Sequence, residues 1–132
     1  HSTPSLVTPT PPVVVEVEQV VDGEGLRGRF TLEGSRRELT FALSVHGVLD
    51  ADVLFSHIHR RTSSGATGPV LYLLGGRARP RVSGTLPLSA DDLSRLVAGD
   101  LYVDVHTAKN LAGIAAPLAW ISGDEDIGSV SN

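Results

Sequence analysis

Residues 38–48 read ELTFALSVHGV, and their alternation decides the fold class. Side chains of a strand project to opposite faces with period two, so Phe41, Leu43 and Val45 share one face while Ala42, Ser44 and His46 share the other. One face is apolar enough to bury, and the other is small or polar. A helix, with its period near 3.6, would scatter both sets around its circumference. The stretch is a half-buried β-strand.

Short segments of the same kind flank it on both sides: VVVEVEQVV from Val13, LRGRFTLEG from Leu26, DVLFSHIHR from Asp52, PVLYLLGG from Pro69, VSGTLPL from Val82, LYVDVHTA from Leu101 and GIAAPLAWI from Gly113. Most are bounded by Gly, Asp, Ser or Pro, which set turns. The segment LSADDLSRLVAGD, residues 88–100, breaks the pattern. There Ser89 can cap a helix, Asp91 and Asp92 stand where the helix dipole favours acids, Leu93, Leu96 and Val97 make an apolar stripe, and Gly99 stops it. About seven or eight strands with one short helix near residues 90–98 imply an all-β fold, a Greek-key sandwich or flattened barrel.

The length of 132 residues suits one domain with a core that needs no disulfide or structural metal. Residues 1–12, HSTPSLVTPTPP, are expected to form a flexible Pro- and Thr-rich leader, and residues 122–132, SGDEDIGSVSN, an acidic flexible tail, leaving 13–121 as the folded unit. The net charge is −4, and the basic residues cluster at Arg36-Arg37 and from Arg77 to Arg81, with no aromatics between them. That argues against nucleic acid as a partner. No apolar run approaches the roughly 20 residues of a membrane-spanning helix. Cysteine is absent, which excludes disulfides and thiolate sites, and methionine is absent too, so a processed or trimmed chain is expected.

Candidate chemistry lies in the histidines. In LYVDVHT, Leu101, Val103 and Val105 form the apolar row, which places Tyr102, Asp104 and His106 on the opposite face. In DVLFSHIH, setting Leu54 and Ile58 in the core turns Phe55, His57 and His59 outward. Two imidazoles at i and i+2 stand about 6.5–7 Å apart at their Cα atoms, close enough to lean onto one ion. A neighbouring His106 strand would complete a site of three histidines. Imidazole nitrogen suits copper and zinc, and copper accepts three nitrogens with an open position or a fourth ligand. His46 is a candidate fourth ligand if its strand lies beside that of His57, and Asp104 a candidate carboxylate orienting an imidazole from behind. The alternative on spacing alone is a pair of partly exposed strand histidines that hold nothing.

Three stretches, LTFALSVHGV, SHIHRRTSSGATGPVLYLL and GTLPLSADDLSRLVAGDLYVDVHTAKNLAG, resemble the CHRD domain, named after the morphogen antagonist chordin and widespread in secreted bacterial proteins. The resemblance runs from about Leu39 to Leu118, and its most specific parts are the H-I-H ahead of Gly68, Pro69 and Val70, and the run from Gly99 to Thr107. It implies an extracytoplasmic binding module. The H-x-H strand and the later V-H are also similar to the copper ligands of Cu,Zn superoxide dismutase, a Greek-key β-barrel. That likeness implies copper, ahead of zinc, at His57, His59 and His106, in a carrier site or a copper-only dismutase-like enzyme. Chordin's use of such domains implies a third role, metal-free recognition of another extracellular protein. The chain departs from the family after His106-Thr107, where LAGIAAPL keeps Gly113 and Ile114 but lacks the family's acidic and basic residues. It also lacks the extra ligands of a zinc subsite.

Overall fold

In the computed structural model, which describes residues 12–61 and 67–118, alternation of apolar and polar residues builds eight strands. These are β1 (Val13–Val21), β2 (Glu24–Glu33), β3 (Glu38–His46), β4 (Val53–Arg61), β5 (Thr67–Gly75), β6 (Arg81–Pro87), β7 (Leu101–Thr107) and β8 (Ile114–Pro117), with α1 (Ala90–Ala98) between β6 and β7. The expected leader and tail lie outside the described residues, apart from Pro12.

Two antiparallel four-stranded sheets form, in the orders β1-β2-β3-β6 and β5-β4-β7-β8. Strands β4, β5 and β6 follow one another in the chain, and β3 lies beside β6 while β7 lies beside β4, which is the Greek-key arrangement. The sheets meet at both edges, where β1 touches β8 and β5 touches β6. The inner rows supply the core: Leu26 and Phe30 from β2, Leu39, Phe41, Leu43 and Val45 from β3, Ile58 from β4, Val103 and Val105 from β7 and Ile114 from β8 are all buried. Burying each such side chain contributes about 1.5–3 kcal/mol, and the core needs no cross-link.

Local chemistry fixes the joints. β1 and β2 are joined by Asp22 and Gly23 alone, with φ of 51° and 80°, the doubly positive geometry of a two-residue hairpin turn whose twist matches the strands. The Ser89 hydroxyl accepts the Asp92 N–H at 3.0 Å at the start of α1, and Gly99 ends it in the left-handed region at φ 80°. The stripe turns Leu96 into the core, and the Tyr72 hydroxyl donates to the Asp92 carboxylate at 2.5 Å, tying α1 to β5. No helix among the described residues is long and apolar enough to cross a membrane.

One strand departs from the expected register. The pairing of β4 with β7 shifts between Val53 and Phe55, so that Val53, 1% exposed, enters the core and Leu54 is only partly covered. Beyond that bulge Ser56 and Ile58 point inward, and Phe55, His57 and His59 share the outer face.

Candidate metal centre

β4 and β7 are the two central strands of their sheet, each hydrogen-bonded on both sides, so the residues they carry are held by two ladders. Their register sets Phe55 opposite His106, His57 opposite Asp104 and His59 opposite Tyr102. Directly opposed residues share a face. Six side chains therefore stand in a two-by-three array on the outer face, with His57 and Asp104 in the middle row, Phe55 and His106 at one end and His59 and Tyr102 at the other.

Four of them converge. His57, His59, Asp104 and His106 each turn one ligand atom inward, and these atoms lie within 4.8 Å of one another. The Asp104 Oδ2 atom is 2.9 Å from His59 Nε2 and 2.8 Å from His106 Nε2, and Oδ1 is 3.3 Å from His57 Nδ1. His59 Nε2 and His57 Nδ1 are 3.2 Å apart. Tetrahedral zinc with bonds of about 2.0–2.1 Å to nitrogen separates its ligand atoms by about 3.3 Å, so the set has the size of a first-row metal site.

The outward ring nitrogens decide where the protons are. His59 Nδ1 lies 3.1 Å from the Gly68 carbonyl oxygen and His106 Nδ1 lies 2.8 Å from that of Leu111. A carbonyl oxygen only accepts, so both Nδ1 atoms carry hydrogen, and in a neutral ring each Nε2 is left with a lone pair. Both lone pairs face the same carboxylate oxygen, which is itself only an acceptor. The single proton of His57 can serve one neighbour, Asp104 or His59, and leaves the contact between His106 and Asp104 unfilled. Neutral rings thus oppose one another here, and either an added proton or a cation resolves the conflict.

Burial sharpens it. Asp104 is 2% exposed and His59 4%, although sequence alternation placed both on a polar outer face. The Tyr102 ring stacks on His59 with centroids 5.1 Å apart and planes within 8°, while Phe55 sits 4.6 Å from both His57 and His106. Outward-facing residues are in this way roofed by aromatic neighbours. The Tyr102 hydroxyl is itself buried without a partner among the described residues. Burial holds the His57 imidazole below the usual histidine range, against the opposing pull of the Asp104 carboxylate. His57 is accordingly kept neutral, the form that binds a metal.

Gly113 closes one side. Its φ is 102°, a left-handed conformation that favours glycine, and a Cβ there would come within 3.2 Å of Asp104 Oδ2 and of the His106 ring. The backbone can approach the carboxylate only because no side chain intervenes.

The expected trio of His57, His59 and His106 is brought together by the pairing of β4 with β7. His46 is not part of it: β3 pairs with β2 and β6 in the other sheet, so the fourth ligand expected there is misplaced, and its ring packs over Gly25 instead. Asp104, read from sequence as a carboxylate behind an imidazole, stands among the ligand atoms. Arg60 and Arg61 are exposed at the end of β4. A concavity of about 580 Å³ lies on the outer face of the other sheet, and the acids on its rim are already paired, Glu18 with Arg27 at 2.9 Å and Glu16 with Arg29 at 3.8 Å.

A family model for the CHRD domain matches residues 9–114. The chain belongs to the CHRD family. The match begins ahead of β1, well before Leu39, so the first hairpin is part of the CHRD domain although it carries none of the motif residues. No match emerged among curated proteins or among solved structures. The departure from the family pattern after Thr107 leaves the architecture intact, because Ile114–Pro117 still forms β8 against β7.

Proposed function

We propose that this CHRD domain is an extracytoplasmic binding module that holds a divalent metal, copper ahead of zinc, through His57, His59, His106 and the carboxylate of Asp104. The observation that carries the reading is the convergence of imidazole lone pairs on a buried carboxylate, an arrangement of acceptors that a cation satisfies. Three imidazoles and one carboxylate suit a divalent ion, and copper(II) leads zinc in affinity for a given nitrogen and oxygen set. Family membership supports the extracytoplasmic setting.

Titration with copper(II) and zinc(II), followed by metal analysis after desalting, tests this directly. The wild type should retain about one ion per chain and bind copper more tightly. A variant carrying His57→Ala, His59→Ala and His106→Ala should retain none. Equal retention by both proteins would remove the metal reading and leave recognition of an extracellular protein as the family's remaining role.

A second reading, a copper-only dismutase-like enzyme, is favoured by one feature. His57 and His106 keep 13% and 15% of their side-chain surface while His59 keeps 5%, so the site is open on one flank to a small molecule. Superoxide consumption by the copper-loaded protein, compared with free copper at equal concentration, separates enzyme from carrier.

A further inference from the structure

Glu24, at the start of β2, is 5% exposed and belongs to the sheet opposite the histidines, yet its carboxylate reaches across the open end of the sandwich. Its Oε1 accepts the Thr107 hydroxyl at 2.5 Å and the Asn110 side-chain amide at 2.8 Å. The first length is that of a charge-assisted bond from a hydroxyl to a carboxylate. The same hairpin tip offers two backbone acceptors, with Lys109 Nζ donating to Asp22 O at 2.7 Å and Asn110 Nδ2 to Val21 O at 3.5 Å. The β7–β8 loop is in turn folded on itself: the Asn110 N–H donates to the Thr107 hydroxyl at 2.9 Å, and the Asn110 carbonyl accepts from Thr107 and Gly113 at 3.2 and 3.0 Å.

That loop sets one metal ligand. It supplies the Leu111 carbonyl that takes the His106 Nδ1 hydrogen, and the Gly113 backbone that abuts His106 and Asp104. We infer that Glu24 is a positioning residue for the metal site, locking the Thr107–Gly113 loop so that Leu111 O fixes the tautomer and orientation of His106. The inference rests on the metal reading above. Groups that orient a metal-bound histidine from behind typically change affinity 10–100-fold when removed, and Glu24 acts one step further back, through the loop.

The test uses the whole chain with three substitutions. Glu24→Leu removes the acceptor, Asn110→Ala removes one donor while leaving Glu24 and the backbone in place, and Glu24→Gln keeps an acceptor oxygen of nearly the same shape. Copper(II) affinity, measured well below each melting temperature, should fall about tenfold in Glu24→Leu and less in Asn110→Ala, and recover in Glu24→Gln. The His106 ring ¹⁵N shifts of the metal-free protein should report the Nδ1–H tautomer in wild type and Glu24→Gln, and a mixture in Glu24→Leu. If Glu24→Leu does not fold, Asn110→Ala carries the same comparison. A lowered melting temperature with unchanged affinity and unchanged ¹⁵N shifts would overturn the inference, making the clasp purely structural. Failure of the metal reading is distinguishable, since a wild type that takes no copper leaves the tautomer comparison intact.

Discussion

At the scale of single residues, Asp104 concentrates the chemistry. It is the buried negative charge on which three imidazole nitrogens close, and its replacement separates metal binding from stability. Asp104→Asn keeps the shape but offers amide hydrogens to the His59 and His106 lone pairs that the carboxylate oxygen cannot satisfy. The metal-free variant should melt no lower than wild type, while copper(II) affinity drops at least about tenfold. A calorimetric scan with a parallel copper titration checks both halves, and a strongly destabilised variant of undiminished affinity would count against the proton accounting. Acid also lowers affinity, but unlike this substitution it lowers stability too. Because burial lowers the His57 value, the folded state keeps this ring neutral to a lower pH than the unfolded chain does. The associated stability is present above the ordinary histidine range and is lost as pH falls through the lowered value. Copper competes with the same protons, so affinity measured at about pH 5 should be well below that at about pH 7.

Elements differ in how openly the sequence declares them. In β3 and β7 strict alternation gave the buried rows residue by residue, and Ser89 with Gly99 bounded α1 at both ends, because these signals are local. β4 was less legible: its bulge shifts the parity between Val53 and Ser56, and a period-two rule that starts from Leu54 selects the wrong core residue. The site followed the same division. That His57, His59 and His106 face outward could be read from alternation, but that Asp104 rather than His46 completes the set depends on β7 and not β3 pairing with β4. Such pairing is long-range and leaves no mark in either strand. Glu24 carried no signal at all, since its partners lie more than 80 residues away in the chain. Between elements, the α1–β5 tie is testable by titration. Burial, reinforced by the Asp92 carboxylate, pushes the Tyr72 phenol up to about 12. Its contribution to stability is complete below the unfolded value near 10 and disappears as pH rises toward 12. Ultraviolet titration should show a phenol ionising near 12, and Tyr72→Phe should abolish that late step.

Across the whole molecule, core and proposed metal site share one strand. Ile58 is fully buried between the outward-facing His57 and His59, so Ile58→Ala should cost about 2–5 kcal/mol of unfolding free energy and weaken metal binding along with it. The coupling runs both ways. A ligand bound only by the folded state, present at 100 times its dissociation constant, stabilises by about 2.7 kcal/mol, so copper should raise the melting temperature of the wild type and leave that of the triple histidine variant unchanged. On this account the two sheets are the scaffold, and the face built from β4 and β7, where His57, His59, Asp104 and His106 converge, is where the proposed ion would add to it. An X-ray absorption spectrum of the copper-loaded protein tests this coordination most directly. The expected spectrum shows three imidazole nitrogens and one carboxylate oxygen in the copper shell, while a shell without the outer scattering of imidazole rings would contradict the assignment.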